Sequence, residues 1–220
     1  MSEPAVILDN VAVSFGETSV FRDVSLTLQR GDVAVVVGES GVGKSTLLRA
    51  IAGQGPFTGT IKVAGKHPKE IETDFHVVLV PQQPFLWDHL TALGNVALVR
   101  RITHDETSAV ARESALKFLE KLEVDEIATR YPFRLSGGEQ QRVSLSRGLA
   151  AEADIYLFDE ITANIDPRRR EQIVRLLLDL AASGKTLVIA THDRRFAHQM
   201  SKQPLELTQN GLRPLNGDEK

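Results

Sequence analysis

The stretch Gly38-Glu39-Ser40-Gly41-Val42-Gly43-Lys44-Ser45-Thr46 constrains this chain more than any other. It follows the apolar run Val33-Ala34-Val35-Val36-Val37 and precedes Leu47-Leu48-Arg49-Ala50-Ile51. That order predicts a buried strand, a glycine-rich turn and a helix, the setting a phosphate-cradling loop requires. The glycines let backbone N–H groups turn inward without Cβ clashes and form a nest for phosphate oxygens. A helix opening at Lys44 adds the positive end of its dipole to the same anion. Lys44 is placed to reach the β- and γ-phosphates, and the Ser45 hydroxyl to ligate Mg2+. The whole stretch from Gly38 to Thr46 is the candidate nucleotide site.

The 220 residues can bury a sizeable core and suit one domain with subdomains. There is no cysteine, which excludes disulfides and thiolate metal sites and fits a reducing compartment. A net charge of −3 and a pI near 6.1 argue against a general nucleic-acid binder, which carries a basic face. The start, Met1-Ser2-Glu3-Pro4, lacks the basic and apolar regions of a signal peptide. No apolar run approaches the about 18–20 residues of a membrane span. The chain is expected to reach a membrane only through a partner.

Residues 5–30 read as β structure: Val6, Leu8, Val11 and Val13 on one strand, Val24, Leu26 and Leu28 on another, with a turn at Gly16-Glu17-Thr18-Ser19. Gly53 is the expected stop of the helix after the loop, and Thr60–Val63 a further short strand. Phe75 to Val80 reads as a strand ended by Pro81. Residues 88–130 read as helical, with a capping box expected at Thr103-His104-Asp105-Glu106 and an apolar stripe from Val110 to Leu122. Packing explains that stripe.

Leu135-Ser136-Gly137-Gly138-Glu139 opens a helix expected to run to about Ala151, capped by Ser136 and Glu139. Two glycines in a first turn are unfavourable by propensity. Either they belong to a plain cap, or bare N–H groups must approach an anion there. Asp154–Glu160 reads as a buried strand ending in two acids, where ligands bind in open α/β sheets. Asp159 is placed to hold Mg2+, and Glu160 to polarise an attacking water. Asp166-Pro167 is an N-cap followed by proline at the first helical position. Thr186–Ala190 is another buried strand, and His192 follows at its carboxyl edge. Arg168-Arg169-Arg170 and Arg194-Arg195 read as solvated surface.

Together these pieces resemble the nucleotide-binding subunit of an ATP-binding cassette (ABC) transporter, from about Val6 to Gln209. The most specific mark is Leu135-Ser136-Gly137-Gly138-Glu139-Gln140-Gln141-Arg142, in the right order after the phosphate loop. The resemblance implies an α/β fold: a P-loop NTPase core with a mostly parallel sheet, an N-terminal antiparallel β subdomain and an inserted α-helical subdomain. One ABC ATPase domain would span 1–220, with the insertion at about 84–134. By the same resemblance Phe15 stacks on adenine, Gln82 joins the core to the insertion and ligates Mg2+, Glu160 is the catalytic carboxylate, and His192 contacts the γ-phosphate. Ser136, Gly137, Gly138 and Glu139 would cap the ATP held by a second, identical subunit in a head-to-tail dimer. ATP and Mg2+ are the implied cofactors, and transmembrane permease subunits the implied partners, on the cytoplasmic face of the membrane.

Three positions depart from the family pattern. Ile161 stands where proline usually follows the acids, Phe15 replaces the commoner tyrosine, and Ala163-Asn164-Ile165-Asp166 replaces the common Ser-Ala-Leu-Asp, putting cross-dimer contacts of Ala163 and Asn164 in question. Pro84-Phe85-Leu86-Trp87, just after Gln82, is the candidate segment for receiving the membrane subunit, with local core packing as the other account of its rings. A non-transport ABC ATPase acting on nucleic acid or the ribosome is the alternative. A P-loop kinase would leave the signature and His192 unexplained.

Overall fold

The computed structural model describes residues 3–71, 76–162 and 165–215. They divide into two compact units. One comprises residues 3–71, 76–79, 154–160 and 176–215; the other comprises 80–153, 161–162 and 165–175.

The first unit begins with an antiparallel pair, β1 (Val6–Phe15) and β2 (Thr18–Leu28), turned at Gly16-Glu17, so Thr18 and Ser19 already belong to the second strand. Val6, Leu8, Val11 and Val13 are all buried although Leu8 and Val11 are three apart. A register shift between those two residues absorbs the odd interval and keeps both apolar pairs on one face. β3 (Val33–Val37) leads into α1 (Lys44–Ile51), and β4 (Thr58–Val63) joins the free edge of β1, giving the sheet order β2-β1-β4. α1 ends at Ala52, and Gly53 follows with a left-handed φ of 81°.

The larger sheet adds β5 (Val77–Val80), β6 (Ile155–Asp159), β7 (Thr186–Thr191), β8 (Leu205–Thr208) and β9 (Gly211–Pro214), in the order β5-β6-β7-β3-β8-β9. β3 runs parallel to β7 and β8, and β6 parallel to β7; β8 and β9 form an antiparallel hairpin. Central strands with neighbours on both edges need apolar residues on both faces, which is why β6 and β7 are buried throughout. The strand expected from Phe75 begins at Val77 in the described residues, and Phe75 lies outside them.

The second unit is helical: α2 (Ala92–His104), α3 (Ser108–Glu120), α4 (Gly137–Leu149) and the start of α5 (Pro167–Ala182), a helix with residues in both units. α2, α3 and α4 pack on one another, and Val96, Ala111, Ala115, Leu119, Val143 and Leu145 are buried on them. The capping box expected at Thr103–Glu106 does not form. α2 runs through His104 and stops at Asp105 in a left-handed conformation, and α3 starts after Thr107 without a side-chain cap. Glu106 is drawn instead to the buried Arg100, whose Nε donates to its carboxylate at 3.1 Å and whose other nitrogen bonds Glu152 at 2.7 Å. A pair in which both partners are charged outcompetes a cap in which only the carboxylate is. The last helix, α6 (Arg194–Met200), belongs to the first unit and opens on an Asp193 cap.

The segment between β5 and α2 is held by Asn95, a fully buried residue of α2. Its Oδ1 accepts from Trp87 N at 2.8 Å, and its Nδ2 donates to the carbonyls of Trp87, Leu90 and Thr91 at 3.1, 3.3 and 3.0 Å. Removing the amide leaves buried backbone groups unpaired, so Asn95→Ala is expected to lower unfolding free energy by about 2–3 kcal/mol. Urea denaturation followed by circular dichroism measures this.

Candidate active site

Gly38 to Gly43 bridges the carboxyl end of β3 and the first turn of α1. Gly43 is the N-cap, with φ 111°, and a Cβ there would lie 2.6 Å from Val20 Cγ1 and 2.9 Å from Phe21 Cδ1. Both the backbone conformation and the close approach of β2 therefore demand glycine. Glu39, Ser40 and Gly41 are exposed, leaving the loop backbone accessible.

Lys44 is only 7% exposed. Its Nζ donates to the carbonyls of Gly38 at 2.8 Å and Glu39 at 3.1 Å, folding the side chain back over its own loop. Glu160 Oε1 lies 3.6 Å from the same nitrogen. The other oxygen of Glu160 accepts from His192 N at 3.2 Å and sits 2.9 Å from His192 Nδ1. Glu160, at the end of β6, is a non-glycine residue in the left-handed region, with φ 48°. Such a conformation costs about 1–3 kcal/mol and persists where surroundings over-determine it. Here Glu160 N donates to Ala190 O at 2.9 Å, and both carboxylate oxygens have cationic or N–H neighbours.

Asp159, one residue earlier, is buried, and burial, reinforced by the charge of Glu160, raises its carboxyl above the ordinary aspartate range. A hydrogen bond from Ser45 and the charges of Lys44 and Arg49 act in the opposite sense. Among the described residues Asp159 Oδ1 has no hydrogen-bond partner. A buried, unpartnered carboxylate oxygen beside a serine hydroxyl is a donor set suited to a hard divalent cation that takes its remaining ligands from phosphate and water.

Phe15 closes β1 with its ring 56% exposed, so a planar ligand could stack on it. Lys44, Ser45, Asp159, Glu160 and His192 are brought together in the first unit; Gln82 and Ser136–Glu139 lie in the second. Gln82 is exposed, between β5 and α2. Ser136 caps α4 with both halves of the capping box: its hydroxyl accepts from Glu139 N at 3.3 Å, and Glu139 Oε2 accepts from Ser136 N at 2.7 Å. The Ser136 backbone N–H, and then its hydroxyl, hold the Glu139 carboxyl below its usual range. Among the described residues a Cβ on Gly137 would meet nothing within 4 Å, so packing against them does not call for glycine there. Ala163 and Asn164 lie outside the described residues. Ile161 is buried, and Asp166 caps α5 by accepting from Arg169 N at 3.1 Å. That bond and an ion pair at 3.1 Å engage Arg169, while Arg170 is half-buried, so the Arg168–Arg170 cluster is not simply solvated.

Arg147 carries a role that spacing does not reveal. From the last turn of α4 it donates to Phe85 O and Pro84 O, each at 2.8 Å, and its guanidinium lies 4.9 Å from the centre of the Trp87 ring. In the sequence it is one more arginine on an amphipathic helix.

The family model described as ABC transporter matches residues 21–163. The chain is 39% identical over 204 residues to the glutamine transport ATP-binding protein GlnQ of Escherichia coli, covering 88% of this chain and 83% of that protein. It is 36% identical over 231 residues to the histidine/lysine/arginine/ornithine transport ATP-binding protein HisP of the same organism, covering 96% and 90%. The dimeric, post-hydrolysis structure of the ATP-binding cassette MJ0796 bound to ADP and Pi superposes with a TM-score of 0.85 at 30% identity, over 97% of this chain and 100% of that one. A phosphate loop, two strand-end acids and a glycine signature in this order, matched over nearly the full length, place the chain in the ABC transporter family, among its ATP-binding cassettes.

Proposed function

We propose that this ATPase powers transport through separate membrane-spanning permease subunits, working as a head-to-tail dimer of identical chains on the cytoplasmic face of the membrane. Among the described residues no helix is long and apolar enough to cross a membrane. The observation that carries the chemistry is the convergence of Lys44 and His192 on the two oxygens of Glu160 beside the Gly38–Gly43 cradle.

ATP enters with its adenine on Phe15 and its phosphates against the N–H groups of Gly38–Thr46. The γ-phosphate offers Lys44 and His192 a more highly charged partner than Glu160, and their transfer to it frees the carboxylate. Glu160 then takes a proton from a water that attacks the γ-phosphorus, as the bond to the β–γ bridging oxygen breaks and ADP leaves. Ser45 and Asp159 would hold Mg2+, with Gln82 the further ligand that the family resemblance implies, and the ion would neutralise charge on the phosphates. Ser136, Gly137, Gly138 and Glu139 read the γ-phosphate of the partner subunit, and open space around Gly137 supports such an approach from outside the chain. Closure on ATP and reopening after hydrolysis convert the nucleotide cycle into movement.

Phe85 and Trp87, 62% and 38% exposed, are the anchors for the permease. The printed cargoes of the relatives are amino acids: glutamine for GlnQ, histidine, lysine, arginine and ornithine for HisP, and glutamate and aspartate for GltL. Polar amino acids are therefore the first class to test in the reconstituted complex.

Lys44→Ala is expected to weaken ATP binding at least about 100-fold by calorimetry, since it removes the one buried cation of the cradle. Glu160→Gln should retain ATP binding, accumulate as a dimer by size-exclusion chromatography, and hydrolyse about 10²–10⁴-fold more slowly; normal turnover would exclude Glu160 as the base. Ser136→Arg should suppress hydrolysis while leaving binding to the monomer intact. Asp159 has a raised folded-state pKa, so its ionisation opposes folding: the associated stability is full at low pH and lost as pH rises through that value. Asp159→Asn should therefore raise the melting temperature of the nucleotide-free protein at neutral pH while losing Mg2+-dependent hydrolysis. Calorimetry and a phosphate-release assay read the two effects.

A further inference from the structure

We propose that Glu206 is a positioning residue for His192. By gathering Arg194 and Arg213 on one carboxylate it fixes the start of α6, and with it the turn from which the imidazole moves to the γ-phosphate. This rests on the role of His192 proposed above.

His192 stands between β7 and α6, with its backbone N–H and its ring on Glu160. Asp193 N donates to Thr191 Oγ1 at 3.0 Å, and Asp193 Oδ1 accepts from Phe196 N at 3.0 Å to cap the helix. That helix is seven residues long, too short to be stable by itself. Its first turn holds Arg194 and Arg195 and no acid. Cations there oppose the helix dipole, so this helix start draws on negative charge from elsewhere in the fold. Glu206 supplies it from β8, where its Oε1 lies 3.6 Å from Arg194 Nη2. Its other oxygen is held by Arg213 of β9, whose Nε and Nη2 approach to 2.8 and 2.7 Å. The Glu206 side chain is only 21% exposed, which strengthens its pull on both guanidinium groups.

Strand alternation explains the reach. Leu207 is buried in the core, so Glu206 faces the other side of the sheet and meets Arg194 there. Glu206 pairs with Arg213 across the β8–β9 hairpin, and with Val37, the residue before Gly38, on β3. The phosphate cradle and the His192 turn are therefore both tied to β8, but through different groups. A Cβ on Gly38 would lie 3.1 Å from Leu207 O, so the backbone of β8 abuts the cradle. The side chains of Glu206 and Arg213 instead face Glu39, Ser40 and Val42 across a cavity of about 440 Å³. Removing the charge of Glu206 thus loosens the start of α6 and leaves the cradle as it is.

The full-length protein and its variants are assayed for phosphate release at saturating ATP and Mg2+, and for ADP affinity by calorimetry. ADP lacks the phosphate that His192 would contact, so its affinity reports the cradle alone. Glu206→Gln keeps the size and removes the charge, and should lower kcat about five- to fiftyfold with ADP affinity within about twofold of the parent. Arg194→Met should reproduce that loss. The double variant should lose no more than about twofold beyond either single one, because both act through the same turn. Parental kcat in Glu206→Gln overturns the proposal, and so does multiplication of the two losses in the double variant. A fall in ADP affinity in either single variant also overturns it, by assigning the cluster to support of the cradle. His192→Ala is measured alongside. If it is slowed while Glu206→Gln is not, the positioning alone fails; if it turns over as the parent does, the role of His192 fails and the positioning with it.

Discussion

The burial of a single ammonium group organises the nucleotide unit. Lys44 lies almost wholly out of water, and an isolated charge there would cost several kcal/mol. Two carbonyls of its own loop and the carboxylate of Glu160 offset that cost. The carbonyls shape the Gly38–Gly43 turn, and the carboxylate ties α1 to the end of β6. Through Glu160 the same charge reaches His192 at the end of β7. The carboxyl ends of β3, β6 and β7 thereby meet around one buried ammonium and its carboxylate partner.

The two acids beside that cation differ in environment. Glu160 has cationic or N–H neighbours on both oxygens, whereas Asp159 keeps one oxygen unpartnered and a raised pKa. Adjacent carboxylates in a strand end repel each other, and the nucleotide-free protein bears that repulsion along with the left-handed backbone of Glu160. Strain and an unsatisfied oxygen collect where a ligand carrying the complementary groups would relieve both.

The helical unit is arranged on a different principle. Its charges pair within the unit, as Arg100 does with Glu106 and Glu152, or spend themselves on backbone carbonyls, as Arg147 does. The capping box at Ser136 places an ordered helix start at the surface with a glycine that no neighbour in the chain requires. At the far end the same helix holds a loop that displays two aromatic rings. One rigid rod thus carries two exposed, outward-directed features.

Much of this was legible in the residues. The five apolar positions of β3, the glycine-rich turn, the Ser136–Glu139 cap and the Asp166-Pro167 start all follow from local spacing, because strand alternation, helix periodicity and capping act over a few residues. The family resemblance came from the order of such local motifs. The capping box at Thr103–Glu106 failed for the opposite reason: Glu106 had a stronger partner in Arg100, a choice that local pattern cannot register. Only the tertiary structure paired Glu160 with His192, 32 residues away, and Arg147 with Pro84, 63 residues away. It also decided that Asp159 keeps a bare oxygen while Glu160 does not, since that depends on which strands lie side by side. The sequence by itself determined the glycine-rich loop between β3 and α1 and the caps at Ser136 and Asp166. Which of those groups hold one another was decided by packing, because Coulomb and hydrogen-bond energies depend on distance in space, not on separation along the chain.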